Sequence, residues 1–260
     1  MKPFRADLHI HTVLSPCGGL DMGAPEIVSR ALQCGHGMVA VTDHNTCRNA
    51  AAVMNAARGK NLVVFPGLEV QSAEDIHAVV LFGTLEEALD YEAWLWEGFP
   101  CVLNRPELFG EQLLIDEEDR ILAEEPVLLV QGARRSIDDV VVEARARGGL
   151  AFLSHIDREA FSYPAVLGPI PANYPVDALE LTCNATEEKV VNCRKAYPFL
   201  PLIRNSDAHS LDQITPRCST IFLLEEPNFQ NLRQAFRGER GCRILDPWRA
   251  GEEQTDPAMG

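Results

Sequence analysis

With 260 residues, 46% of them apolar, the chain can bury one large core, and α/β barrels of this length routinely form a single domain. It has no apolar run of roughly 18 residues, so no membrane span is expected, and the polar start MKPFRADLHIH lacks the apolar segment of a secretory signal. A net charge of -15 with only four lysines leaves no basic stripe for a phosphate backbone, so long nucleic acid is not expected as a partner; a small phosphorylated substrate remains open, because bound divalent cations can reverse the local field.

In chain order, β-rich runs are predicted at Phe4–His9, Met38–Thr42, Leu62–Phe65, His77–Phe82, Leu150–Ser154, Ala178–Leu181, Leu202–Arg204 and Thr220–Leu223. Several are nearly continuous apolar runs, as in strands covered on both faces. Helices fall between them. Ala24–Cys34 has Pro25 in its first turn and Gly35 after its end, and Ile137–Arg147 has Ser136 as an N-cap and Gly148-Gly149 as a stop. Strand–helix alternation implies a parallel sheet, open or closed. The rhythm breaks between about 84 and 135, in an insertion over one face that is either a lid or a plain structural excursion, with a small hairpin around Asp116–Asp119. Residues 1–245 are read as one domain and the polar tail 246–260 as disordered. The eight cysteines form no C-x-x-C pair, and the simplest reading is a reduced, cytoplasmic protein with mostly buried thiols.

The histidines carry the main signal. In Asp7-Leu8-His9-Ile10-His11, strand spacing turns residues 7, 9 and 11 to one side, so two imidazoles can reach one ion while Asp7 accepts a free ring N–H. Asp43-His44 ends the second strand and Glu69 the third, where α/β enzymes place chemistry. His77 and His155, at two further strand ends, each read as a ligand or as a hydrogen-bonded core histidine. In Ser206-Asp207-Ala208-His209 the i, i+2 spacing again presents two ligands together. His36, between a helix end and a strand start, belongs to the opposite face and is expected to be a bystander. Six histidines with Glu69 and Asp207, and Asp43 as an option, exceed what one tetrahedral zinc needs. Two or three divalent ions are implied, and mixed N/O ligands suit Zn, Mn or Fe.

DLHIHT, TDH, GLE followed by a histidine, SHID and SDAH, in this order from about residue 4 to 223, resemble the PHP (polymerase and histidinol phosphatase) superfamily. The resemblance implies a distorted (β/α)7 TIM-like barrel, with the 84–135 segment inserted, and a trinuclear metal site at the strand C-termini that hydrolyses phosphoesters. Carried over by motif, a first ion would use His9, His11, Glu69 and Asp207, a second Glu69, His77 and His155, and a third His44 and His209. Asp7 and Asp43 would support these ligands, with Asp43 able to ligate. The family places a further His or Asp five or six residues after the second histidine of the first motif; here Pro16 and Cys17 stand instead. Asp21 or the Cys17 thiolate could substitute, or Cys17 packs in a turn and the third ion is weak or absent.

The implied chemistry is attack on phosphorus by a metal-bridging hydroxide, with no side-chain nucleophile. No G-x-S-x-G elbow or P-loop is present. Arg158, and after it Arg105 and Arg134, are the candidate phosphate clamps. A small phosphomonoester such as a nucleotide, a sugar phosphate or a histidinol-phosphate-like compound is the expected substrate, with short-oligonucleotide exonuclease action as the alternative. An amidohydrolase-like enzyme is the reading of another class, disfavoured because neither Lys60 nor Lys189 ends a strand. A non-catalytic metal-binding module is a third. Oligomeric state is not readable from the sequence.

Overall fold

The computed structural model describes residues 1–248. Its elements in chain order are β1 (Lys2–Ile10), α1 (Ala24–Gln33), β2 (Met38–Val41), α2 (Ala50–Ala56), β3 (Val63–Gln71), β4 (His77–Leu81), α3 (Leu85–Trp96), α4 (Pro106–Phe109), β5 (Leu113–Ile115) and β6 (Ile121–Glu124). There follow α5 (Ile137–Ala146), β7 (Leu150–Leu153), α6 (Tyr163–Leu167), β8 (Ala178–Leu181), α7 (Glu187–Ala196), β9 (Leu202–Arg204), a 3₁₀ turn at Leu211–Gln213, β10 (Thr220–Leu224), α8 (Phe229–Arg237) and β11 (Arg243–Leu245). Local chemistry explains several boundaries. Thr84 and Glu87 form a reciprocal capping box on α3, and the Ser136 hydroxyl accepts from the Asp139 N–H to cap α5 as the sequence predicted.

One nine-stranded sheet runs β11-β10-β1-β2-β3-β4-β7-β8-β9 and curls on itself. Its ends meet beyond β9, where Ile10 bridges Ala208, the Ala208 N–H donates to the His9 carbonyl and the His11 N–H to the Ala208 carbonyl. Seven strands, β1 to β4 and β7 to β9, thus form the distorted barrel, while β10 and β11 continue antiparallel from β1. The sheet is not all parallel. β4 returns from β3 as a hairpin and runs antiparallel to both β3 and β7. This reversal matters for the site, because it carries the first residue of β4, His77, to the end where the other strands finish.

The barrel interior holds Ala6, Leu8, Ala40, Phe65, Val79, Phe152 and Ile203 in one buried cluster, and α1 and α2 close a second cluster on the outside of β2 and β3. The 84–135 segment follows β4 with α3 and ends in the β5–β6 hairpin expected around residues 116–119. It is tied to the loops after β1 and β2 by buried bonds. The Glu92 carboxylate accepts from the Cys47 N–H, the Asn49 amide donates to the Leu113 carbonyl, and the Trp96 indole donates to the Asn45 carbonyl. Asp119, at the hairpin tip, accepts from the Ala24 N–H at the start of α1.

Two expectations need amendment. Cys183 and Cys218 are joined in a disulfide, so the cysteines are not all free thiols, and Cys17 and Cys101 are exposed. The pair lies 35 residues apart in loops next to β8 and β10, which only the folded barrel brings together. Of the predicted tail, Pro247 and Trp248 pack on the barrel: the Pro247 carbonyl accepts from Arg204, and Trp248 lies against the Arg194 and Arg204 guanidiniums. Residues 249–260 lie outside the described residues.

Candidate metal centre

His9 and His11 project inward from the end of β1 and are buried. Their Nε2 atoms lie 3.3 Å apart. Glu69, near the end of β3, reaches across the barrel mouth with both oxygens. Its Oε1 is 3.3 Å from His9 Nε2, 3.1 Å from His77 Nδ1 and 3.2 Å from His155 Nε2. Its Oε2 is 3.4 Å from His11 Nε2 and 3.2 Å from His44 Nδ1. From beyond β9, Asp207 Oδ1 stands 3.3 Å from His9 Nε2 and 3.2 Å from His11 Nε2.

Several of these spacings match those between ligands of one ion, while His77 Nδ1 and His155 Nε2 also stand within hydrogen-bond reach of Glu69 Oε1. A tetrahedral ion with ligands at about 2.0–2.1 Å separates neighbouring ligand atoms by about 3.3–3.4 Å, whereas an N–H···O hydrogen bond is centred near 2.9 Å. His44 Nδ1 and Asp207 Oδ1 are buried without a hydrogen-bond partner, a costly condition that a cation would relieve. Three groups of ligand atoms lie within 4.8 Å of one another: His9, His11, Glu69 and Asp207; His44, Glu69 and His77; and His11, His44 and His209. The first matches the grouping carried over by motif. In the second His44 joins Glu69 and His77, with His155 at Glu69 Oε1 and edge-on to the His77 ring, and in the third His11 joins the all-nitrogen set.

Buried partners fix the ring orientations. His9 Nδ1 lies 3.1 Å from each oxygen of Glu180, a residue the sequence reading missed, and Glu180 also accepts from the His155 N–H and the Asn205 amide. Asp43 accepts from the Thr12 N–H and the Ser15 hydroxyl, and Ser15 Oγ lies 2.9 Å from His11 Nδ1, so Asp43 orients His11 through one hydroxyl. Asp7 meets no ring nitrogen, contrary to expectation; it accepts from the Ser206 N–H and holds the β9 loop against β1. His155 and Asp207 have φ of +31° and +50°, conformations that cost on the order of 1–3 kcal/mol each and persist where surrounding bonds impose them.

The protein's own charges are strongly unbalanced here. Burial opposes protonation of His9, but Glu180, Glu69 and Asp207 outweigh it and hold that imidazole well above its ordinary pKa. Burial likewise works against His11, which Asp207 and Glu69 nevertheless raise to about 9. Burial disfavours the Glu69 and Asp207 carboxylates, yet the facing histidines keep both far below the usual range. His44 and His209 go the other way. Burial and then the charge on His11 push His44 well down and His209 to about 4. Burial raises Asp43, and takes Asp7 to about 7, despite their donors.

The remaining predicted residues divide. Arg158 donates to Asp207 Oδ2 at 2.6 Å and stands half-exposed at the mouth. Arg105 flanks the start of α4 and Arg134 lies beside Gly98; both are exposed, and among the described residues neither bonds to the cluster. Cys17 joins none of the three groups. It is exposed, and surrounding protein and then Glu69 push its thiol up to about 12. Asp21 accepts from the Leu211 N–H and is exposed. His36 is buried away from the centre, its Nδ1 against the Ala31 carbonyl, and burial lowers it to about 4, as suits a bystander.

Comparison with known proteins places this geometry. The chain covers 95% of its own length and 60% of that of the lesion-specific endonuclease Q from Pyrococcus furiosus, with a TM-score of 0.68 at 19% identity, a likeness of fold. Endonuclease Q has also been solved with a 27-mer duplex carrying an abasic lesion at its active site. A PHP-like metal-dependent phosphoesterase region from Bacteroides vulgatus aligns over 94% of this chain with a TM-score of 0.57 at 17% identity. In sequence, 88 residues are 35% identical to the PolC-type DNA polymerase III of Clostridium perfringens, a stretch that spans 34% of this chain and 6% of the polymerase. These relatives correct the expectation that long nucleic acid is excluded. Net charge is a sum over the whole surface and does not describe one site, and endonuclease Q, a protein of like fold, is seen with duplex DNA at its active site. The PHP domain profile matches residues 7–232, nearly the whole described chain, and on that match the chain belongs to the PHP domain family.

Proposed function

We propose that the chain is a metal-dependent phosphoesterase acting on phosphodiesters of nucleic acid. The observation that carries this is Glu69, one carboxylate whose two oxygens stand 3.1–3.4 Å from nitrogens of five histidines and which belongs to two of the three ligand groups. His9, His11, Glu69 and Asp207 would hold one ion, His44, Glu69 and His77 a second, and His11, His44 and His209 a third. Bound ions lower the pKa of water toward about 7 and offset charge on phosphoryl oxygens. The chain's own groups orient and clamp. Glu180 and Ser15 fix the His9 and His11 rings, and Arg158 presents a planar fork beside Asp207. An amidohydrolase reading gains nothing, because Lys189 donates to the Asp157 carbonyl and Lys60 to the Ala56 carbonyl.

Purified protein loaded in turn with Mn, Zn or Fe is assayed on single-stranded and duplex oligonucleotides and on p-nitrophenyl phosphate. Strand cleavage that EDTA abolishes is expected; turnover confined to the monoester would return the small-substrate reading, and two bound ions with no hydrolysis would make the chain a binding module. Arg158→Lys is expected to raise KM for a strand roughly 3- to 10-fold with kcat and ion content unchanged, because the ammonium keeps the charge and loses the fork. Unaltered KM would remove Arg158 from phosphate binding.

A further inference from the structure

Phe161 is 43% exposed at the rim of the metal centre. One face of its ring stacks on the His77 imidazole, with centroids 4.8 Å apart and planes 27° from parallel. The same ring lines a cavity of about 590 Å³ shared with Arg158, Thr182, Asn184 and Lys189. Arg158, Thr182 and Asn184 also line a second cavity, of about 480 Å³, that contains Asp207. The two therefore adjoin along Arg158, and the path from the ligand cluster outward passes an exposed aromatic face flanked by Arg158 and Lys189, with Asp157 and Glu159 lining the same cavity.

The backbone supports a role beyond packing. Phe161 has φ +57°, a strained backbone conformation for a bulky residue. Its carbonyl accepts from the His77 N–H at 2.9 Å, which explains the backbone conformation. That bond needs no side chain, however, and asparagine or glycine would adopt the same φ with less strain. Phe161 keeps 43% of its surface in water, so its ring is only partly buried. A flat ring beside a phosphoryl site, with Arg158 and Lys189 lining the same cavity, matches the elements that bind single strands: stacking platforms alternating with backbone-neutralising charge.

We infer that Phe161 is the stacking platform for the nucleobase next to the scissile phosphate, so that strands are held by one base and one phosphate at this rim. This rests on the phosphoesterase reading above and specifies its substrate as a strand with an unpaired base at that position. Stacking on an aromatic contributes about 1–3 kcal/mol per base, equivalent to roughly 5- to 150-fold in affinity, and tolerates any base.

The test is a double-mutant cycle between protein and strand. Binding of a labelled single-stranded oligonucleotide to metal-loaded protein is read by fluorescence anisotropy, with KM and kcat measured alongside. The strand is used intact or with an abasic sugar at each position in turn. Phe161→Ala is expected to weaken intact-strand binding about 10-fold and raise KM to match, with kcat and ion content unchanged. Phe161→Trp is expected to bind as well as the parent. One abasic position should weaken the parent about 10-fold and leave Phe161→Ala unaffected, because the two changes remove the same contact. Additive losses, equal binding by the alanine variant, or ion loss on Phe161→Ala would overturn the inference. Absence of strand cleavage by the parent protein would instead overturn the proposed function.

Discussion

Glu69→Gln is expected to lower kcat/KM by roughly 1,000-fold or more and to cut the ion content to one per chain or fewer. Its two oxygens face five histidines, Oε1 meeting His9, His77 and His155 and Oε2 meeting His11 and His44. An amide of the same shape keeps one oxygen but loses the charge, and its nitrogen cannot ligate while it carries two hydrogens. The first and second groups therefore fail together, whereas the all-nitrogen group of His11, His44 and His209 keeps its members. Ion content by mass spectrometry and turnover are read on the same preparation. The fold should survive, because His9 and His11 can release protons once the carboxylate that favours them is gone, and a melting curve checks this. Full ion content with intact turnover would show that Glu69 does not link the sites.

Much of this centre was legible because strand periodicity places alternate residues on one side. DLHIH and SDAH therefore announced inward-facing pairs without knowledge of the sheet. The position of His77 was legible only as a strand edge. Its arrival at the ligand end depends on β4 running antiparallel, which a single apolar run of five residues does not disclose. Glu180 was missed although a signal existed. It is a carboxylate inside the buried strand ALEL, where an unpaired charge would cost several kcal/mol and a partner was therefore required. The disulfide was not legible, since pairing of residues 183 and 218 is decided by the spatial order of β8, β9, β1 and β10. Net charge misled for a different reason. Acidic side chains distributed over the surface say little about a mouth whose carboxylates face histidines and whose rim carries Arg158 and Lys189 beside Asp157 and Glu159.

Ion affinity is expected to rise steeply with pH, by up to about tenfold per pH unit for each proton displaced. A cation at His9 and His11 needs both Nε2 atoms unprotonated. Their carboxylate neighbours favour the opposite state, with His11 at about 9 and His9 well above its ordinary value, so near pH 7 both imidazoles carry protons that an incoming ion must displace. His209, at about 4, and His44, also depressed, are already neutral there and contribute no such dependence. Titration calorimetry in two buffers of different ionisation heat should thus register between one and two protons released by the first ion at pH 7; release of none would mean that these two rings are not its ligands. Folding stability should respond differently with and without ions. In chelated protein, the raised pKa of His11 gives a stabilisation that is complete below the ordinary 6.5 and lost as pH climbs through about 9, so the melting temperature should fall over that interval. In ion-loaded protein the ion has already displaced that proton, the gain in ion affinity offsets the lost stabilisation, and the melting temperature should stay level over the same interval.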